Sequence, residues 1–198
     1  MEELIQMLRQ LEPMSKELIV HLRSIIRPIE FRKGEIILAE GQICNNILYI
    51  ESGLVYSYYM VDQKQVSNWF MKEQDVFISV LSFHRRTPSV DTHVALKPCK
   101  CWGITHMELE QTFRLFPEFE RHGRLLEAEY YCRSEERQIF IKRQTPARKY
   151  EILTKEFDFL LGIATNKQLA SFLDVSERTF NDMRRDDQRA QRRRSRRA

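Results

Sequence analysis

The chain has 198 residues, 42% of them hydrophobic and 30% charged, with 6 glycines and 6 prolines. That is a length for one large or two small domains, and a composition that excludes collagen-like, disordered and mucin-like chains. Its longest apolar stretches, Leu18 to Ile26 and Val76 to Phe83, are broken by His21, Arg23, Ser79 and Ser82. Both fall short of the roughly 20 apolar residues of a membrane span. The acidic start Met1-Glu2-Glu3 lacks the basic lead of a secretory signal, so a cytoplasmic protein that crosses no membrane is expected. The net charge of +4 is unevenly placed: Arg184 to Ala198 hold eight arginines and two aspartates, leaving 24 basic and 26 acidic residues before them. The run Arg192 to Arg197 has nothing apolar to bury, which predicts a tail disordered until a polyanion such as nucleic acid orders it. A merely solvated terminus is the alternative.

In chain order, Leu4, Met7, Leu8 and Leu11 repeat at helical spacing, Pro13 interrupts, and Ser15 is placed to cap a second helix carrying Leu18, Leu22, Ile25 and Ile26. Pro28 ends that helix. Short apolar runs then follow, Ile29 and Phe31, Ile36 to Leu38, and Ile47 to Ile50, punctuated by Gly34, Gly41 and Gly53. Leu54 to Met60, Val66 to Met71 and Val90 to Ile104 continue the pattern, with polar turns at Asp62 to Gln65 and at His84 to Ser89. Evenly spaced short strands predict a small barrel or jelly roll.

After Gly103 the period becomes helical. A short helix over Met107 to Phe113 leads to Pro117, and from there to about Lys142 only Gly123 could break a helix, which at 1.5 Å per residue would run about 38 Å. Leu125, Ala128, Cys132 and Ile139 lie at spacings of three, four and seven, an a/d seam interrupted at Glu135 that suits a two-helix coiled coil. The alternative is a single helix packed on its own domain through Leu126, Tyr130 and Phe140. Pro146 opens another helix, and two short ones follow, Asn166 to Leu173 and Glu177 to Arg185, joined by Asp174-Val175-Ser176. This is helix-turn-helix chemistry: a small Ala170 where the helices cross, Asp174 where a left-handed residue is needed, Val175 plugging the turn and Ser176 as cap.

The four cysteines, Cys44, Cys99, Cys101 and Cys132, are too few and irregular for a disulfide framework and read as buried apolar residues, although Cys99 and Cys101 would share one face of a strand. His21, His84, His93, His106 and His122 show neither H-x-H nor H-E-x-x-H spacing. No metal site and no cofactor are expected.

The order helical lead-in, β-roll, long helix, helix-turn-helix, together with Phe31 to Ile37, Ile47 to Val55, Ala95 to Cys99, Pro117-Glu118-Phe119 and Leu169 to Ser176, resembles the Crp/Fnr superfamily of bacterial transcription regulators, most closely the short branch common in Bacteroidetes. The resemblance implies an α+β fold. Its parts would be a cyclic-nucleotide-binding-type roll at 1–116, a dimerisation helix at 117–143 carrying the Leu125, Ala128, Cys132 and Ile139 seam, and a DNA-binding domain at 144–198. Its DNA contacts would fall on Lys167, Ser176, Glu177, Arg178, Thr179, Asn181, Arg184 and Arg185.

Departures are equally informative. Where nucleotide-binding members carry a Gly-Glu pair and an Arg followed by Ser or Thr and Ala, this chain has Ile78-Ser79 and Ser89-Val90-Asp91. Without the bidentate guanidinium, with only Arg85 and Arg86 nearby, cAMP is not the expected effector. Residues 1–43 contain no cysteine, which removes the iron-sulfur version, and His84, His93 and the cysteine pair are read as structural rather than as haem ligands. In the recognition segment Glu177-Arg178-Thr179-Phe180-Asn181-Asp182, Arg178 suits a guanine edge and Asn181 an adenine edge, while Glu177 and Asp182 would repel phosphate unless they accept from cytosine. Nothing after Arg185 resembles a closing wing strand. The expectation is a homodimeric regulator, not an enzyme, whose partners are double-stranded DNA, a second copy, an unknown small-molecule effector and RNA polymerase as a further candidate. The alternatives are a β-roll sensing or protein-interaction module without DNA binding, and a jelly-roll metalloenzyme.

Overall fold

In a computed structural model that describes residues 1–195, with side chains through Arg189, the chain forms two compact units, Met1 to Cys132 and the residues from Arg133 onward. The first opens with α1 (Glu2–Leu11) and α2 (Lys16–Ile25). Ser15 caps α2 as its position suggested, its hydroxyl accepting from the Leu18 amide at 3.2 Å. Eight strands follow, β1 (Arg27–Phe31), β2 (Ile36–Leu38), β3 (Asn46–Ser52), β4 (Leu54–Val61), β5 (Lys64–Lys72), β6 (Val76–Phe77), β7 (Thr92–Ala95) and β8 (Cys99–Thr105). They pair antiparallel in two four-stranded sheets, ordered β1-β8-β3-β6 and β2-β7-β4-β5.

Alternation along β3 and β8 explains why their sequences are almost continuously apolar. Leu48, Ile50, Cys99 and Cys101 point between the sheets with Val55, Met71, Phe77 and Ala95. Tyr49 and Ile104, one position out of phase, meet Leu4, Ile5, Leu8, Leu18, Leu22 and Phe119 from the helices on the other face. A sheet covered on both faces has no polar side to alternate with. The buried thiols therefore pack as apolar groups, and burial pushes Cys101 up to about 12. Cys132 is the exception to the expected burial: it is exposed.

Two elements were not anticipated. The apolar run around Val76 is divided into the short strand β6 and a helix, α3 (Val80–Arg85), closed by Arg86 in the left-handed region at φ 55. Ser79 and Ser82, which appeared only to interrupt the run, are buried. After β8 come α4 (His106–Leu115), closed at its start by a Thr105–Glu108 capping box, and α5 (Glu118–Arg143). One face of α5 covers the roll: Phe119 and Leu126 join the helical core, and the Tyr130 hydroxyl accepts from the Val76 amide at 2.6 Å.

The second unit contains the end of α5, then α6 (Pro146–Glu156), a single 3-10 turn at Asp158–Leu160, α7 (Asn166–Phe172) and α8 (Glu177–Ser195). The disordered tail expected from Arg192 is overturned as far as Ser195, because α8 runs on ten residues past Arg185. Gly and Pro are absent from 177–195, Arg and Gln are good helix formers, and Arg185 pairs with Asp182 and Arg189 with Asp186 one turn apart. The tail residues Arg196 and Arg197 lie outside the described residues. No described helix is long and apolar enough to cross a membrane.

Gly53, between β3 and β4, has φ +119, and a Cβ there would lie 2.6 Å from Cys99 Sγ and 2.7 Å from the Pro98 carbonyl oxygen. Gly53→Ala should therefore destabilise the roll by about 2 to 4 kcal/mol, from left-handed strain plus steric conflict with backbone. A lower urea midpoint with an unchanged denaturant slope would be the signature.

Candidate nucleic-acid interface and filled roll chamber

The helix-turn-helix is closed by side-chain caps. Thr165 Oγ1 accepts from the Gln168 amide at 3.2 Å while Gln168 Oε1 accepts from the Thr165 amide at 2.8 Å, so α7 starts with both orphan donors satisfied. At its other end Asp174 adopts φ 52, and the Val175 amide donates to the Ala170 carbonyl at 3.0 Å. Asp tolerates the left-handed region better than most residues, which is why the turn can be this short. Ser176 Oγ then accepts from the Thr179 amide at 3.0 Å and starts α8. Leu153, Leu160, Leu169, Ala170, Phe172 and Phe180 are buried between the helices. Arg137, late in α5, lays its guanidinium 4.2 Å from the Phe172 ring centroid and donates to the Phe172 carbonyl at 3.1 Å.

With Phe180 inward, α8 turns one polar face outward. Arg178, Arg184, Arg185 and Glu177 are exposed on it, with Asn181 and Asp182 half-buried, and Lys167 is exposed on the first turn of α7. Asp182 is paired with Arg185, which neutralises the acid that would have repelled phosphate. Arg178 forms no side-chain hydrogen bond or ion pair among the described residues. Thr179 and Ser176 bond each other, hydroxyl to hydroxyl at 2.7 Å, so their role is the cap. The residue that sequence reasoning missed is Asn166: its amide bridges Asn181 and Arg184, both at 2.7 Å. The available signal was an Asn one position after Thr165, inside a Thr165–Gln168 capping pair that does not need it.

On α5, Leu125 is half-buried while Ala128, Cys132 and Ile139 are exposed. Tyr131 beside them is 68% exposed. Ala128 and Cys132 lie on the side of α5 opposite Phe119, Leu126 and Tyr130, which cover the roll.

In the roll, the segments Ile78-Ser79 and Ser89-Val90-Asp91 hold a closed polar cluster. Ser79 Oγ donates to Asp91 Oδ1 at 2.5 Å, Ser89 Oγ lies 2.7 Å from the same oxygen, and His93 Nε2 is 2.8 Å from Asp91 Oδ2. All four residues are buried. Burial by itself would raise the Asp91 pKa, but the hydrogen bond and charge of His93, with the two seryl hydroxyls, outweigh it and hold the carboxyl at about 2. Arg86, a candidate substitute for the phosphate donor, instead donates to the Cys44 carbonyl at 2.7 Å and to Asn45. Cys99 Sγ donates to the Lys97 carbonyl at 3.2 Å, and among the described residues no three His, Cys, Asp or Glu side chains converge as a metal would need.

Residues 28–115 match the family described as the cyclic nucleotide-binding domain. No curated protein matches the chain. Among solved structures, a putative transcriptional regulator of the Crp/Fnr family from Eubacterium rectale is similar, at 17% identity, TM-score 0.71, over 88% of this chain and 84% of that one. The c-di-GMP-responsive global regulator CLP of Xanthomonas campestris is similar at 14% identity, TM-score 0.69, over 89% and 93%. FixK2 of Bradyrhizobium japonicum is similar at 17% identity, TM-score 0.67, over 80% and 82%.

The Asp91 cluster generates a pH prediction. A carboxyl held at about 2 against an ordinary 3.8 contributes stability that is complete above about pH 4 and is lost as pH falls through about 2. Asp91→Asn should cost about 2 kcal/mol at neutral pH, and the gap to the parent protein should close as urea unfolding is repeated down to pH 2.

Proposed function

We propose that this chain, which carries a cyclic nucleotide-binding domain and has the fold of the Crp/Fnr transcription regulators over most of its length, is a non-enzymatic, homodimeric, sequence-specific DNA-binding regulator. The observation that carries the reading is the helix-turn-helix itself: a capped α7, a four-residue turn through left-handed Asp174, and an α8 whose outward face holds Arg178, Asn181, Arg184 and Arg185. An α-helix fits the B-DNA major groove, arginine pairs bidentately with guanine O6 and N7, and flanking arginines neutralise phosphates. The functional division is 1–116 for the roll, 117–143 for the dimer helix and 144–198 for DNA.

A second copy would pack along the Leu125, Ala128, Cys132 and Ile139 face, giving the two-fold symmetry that paired half-sites require. The roll is read as a domain whose phosphate region is occupied by its own carboxylate. A cyclic phosphate would add a negative charge beside Asp91, with no guanidinium to offset it. The effector, if there is one, is therefore of another chemical class than cAMP or cGMP.

Arg178→Ala should cost about 1 to 3 kcal/mol on the specific site and little on scrambled DNA. Truncation after Asp187 removes six arginines and should weaken binding to both, lowering the salt slope by about 0.9 for each phosphate that is no longer neutralised. A salt titration of the three proteins on the best genomic site and on scrambled DNA is the test. No salt-dependent binding to either DNA would favour a protein-interaction module instead.

Replacing Leu125 and Ile139 by Asp should yield monomers in sedimentation at micromolar concentration, and a parent protein that is already monomeric there would refute the dimer. Calorimetry with cAMP and cGMP should give no heat of binding.

A further inference from the structure

We infer that Asn181 reads its base as a hydrogen-bond donor, so that the contacted position in each half-site is a base offering acceptors in the major groove, guanine before thymine, and not the adenine that an unconstrained asparagine would suit. This rests on the DNA-binding reading above and specifies one contact within it.

The reason lies in a three-residue relay between α7 and α8. Arg184 Nη1 stands 2.7 Å from Asn166 Oδ1. A guanidinium has five donors and no acceptor, so the atom it meets must be the amide oxygen, and the Asn166 side chain is held in one orientation. Its NH2 group is thereby aimed the other way, where it donates to Asn181 Oδ1 at 2.7 Å. The reverse arrangement of Asn181 would set two NH2 groups against each other, donor to donor, so the second amide is oriented as well. Thr165 and Gln168 already satisfy the start of α7, which leaves the Asn166 side chain available for the relay.

The consequence falls on the base edge. Adenine recognition by asparagine uses Oδ1 and Nδ2 together, accepting from N6 and donating to N7. Here the Asn181 oxygen is turned toward α7 and engaged by Asn166, so adenine N6 would have to share it, while the two N–H donors of Asn181 remain for the ligand. Guanine presents two acceptors in the major groove, N7 and O6, thymine presents O4, and cytosine presents a donor that would oppose the amide. Arg184 thus fixes the reading of a neighbouring residue as well as supplying positive charge. It is a positioning residue for Asn181, acting through Asn166.

The test is selection of full-length protein on randomised duplexes, followed by titration of the four single-base variants at each position. One position per half-site should prefer guanine by about ten-fold over adenine in the parent protein. That preference should vanish in Asn181→Ala. In Asn166→Leu, which frees the Asn181 oxygen, the preference should move from guanine toward adenine. Arg184→Met should relax the same position, and should also lower the salt slope if the guanidinium meets a phosphate. Selective binding in which the Asn181-dependent position is adenine, or in which no position responds to Asn181→Ala, overturns the inference while leaving the DNA-binding reading intact. Absence of selective binding to any duplex overturns that reading and this inference together.

Discussion

The roll depends on one constraint: the β8–β3 pair at its centre is buried on both faces. Inward, Leu48, Ile50, Cys99 and Cys101 pack against the second sheet, and outward, Tyr49 and Ile104 are covered by α1, α2 and the start of α5. Fully burying side chains of this size stabilises by roughly 1.5 to 3 kcal/mol each, so neither cover can be lost without exposing a large apolar surface. This is why the short N-terminal helices are integral to the roll, and why one face of α5 is committed to it. What remains of this stretch of α5 is the exposed strip carrying Ala128 and Cys132.

Within the roll, the segments Ile78-Ser79 and Ser89-Val90-Asp91 are distinctive for what fills them. A pocket built to bind an anion keeps donors unpaired until the ligand arrives. Here Ser79, Ser89 and His93 converge on Asp91, an anion supplied by the chain itself, and the cluster is satisfied as it stands. An unpaired buried polar group is costly, so a closed network of this kind resists opening for a ligand. The roll keeps its two-sheet architecture with this polar cluster as part of its buried interior.

The helix-turn-helix shows the opposite balance. Its interior is settled by Phe172, Phe180, Leu169 and the caps at Thr165 and Ser176, and its outward face carries side chains whose bonds are polar and few. Those few bonds matter. Arg178 stands without a side-chain partner among the described residues, Arg185 is offset by Asp182, and Arg184 orients two amides in series. Charge counts along α8 would treat the three arginines as equivalent, whereas their neighbours give each different bonds.

Local chemistry sufficed for the sequence to determine much of this protein: the caps at Ser15 and Ser176, the left-handed Asp174, the strands between glycines, the long helix and the order of parts each follow from residues within a few positions of one another. What only the tertiary structure decided depends on residues far apart in the chain. α3 stayed hidden because Ser79 and Ser82 look like interruptions until their buried partners, Asp91 and the Thr87 carbonyl, are brought to them. The extension of α8 through Ser195, by contrast, has a local reason, since nothing in its arginine run breaks a helix. Asn166 was invisible as a site residue because its meaning arises only when α7 and α8 cross and set it between residues 15 and 18 positions away. Hydrogen-bond direction is a property of such meetings: a sequence names the donors and acceptors, and packing decides which of them are left to face a partner.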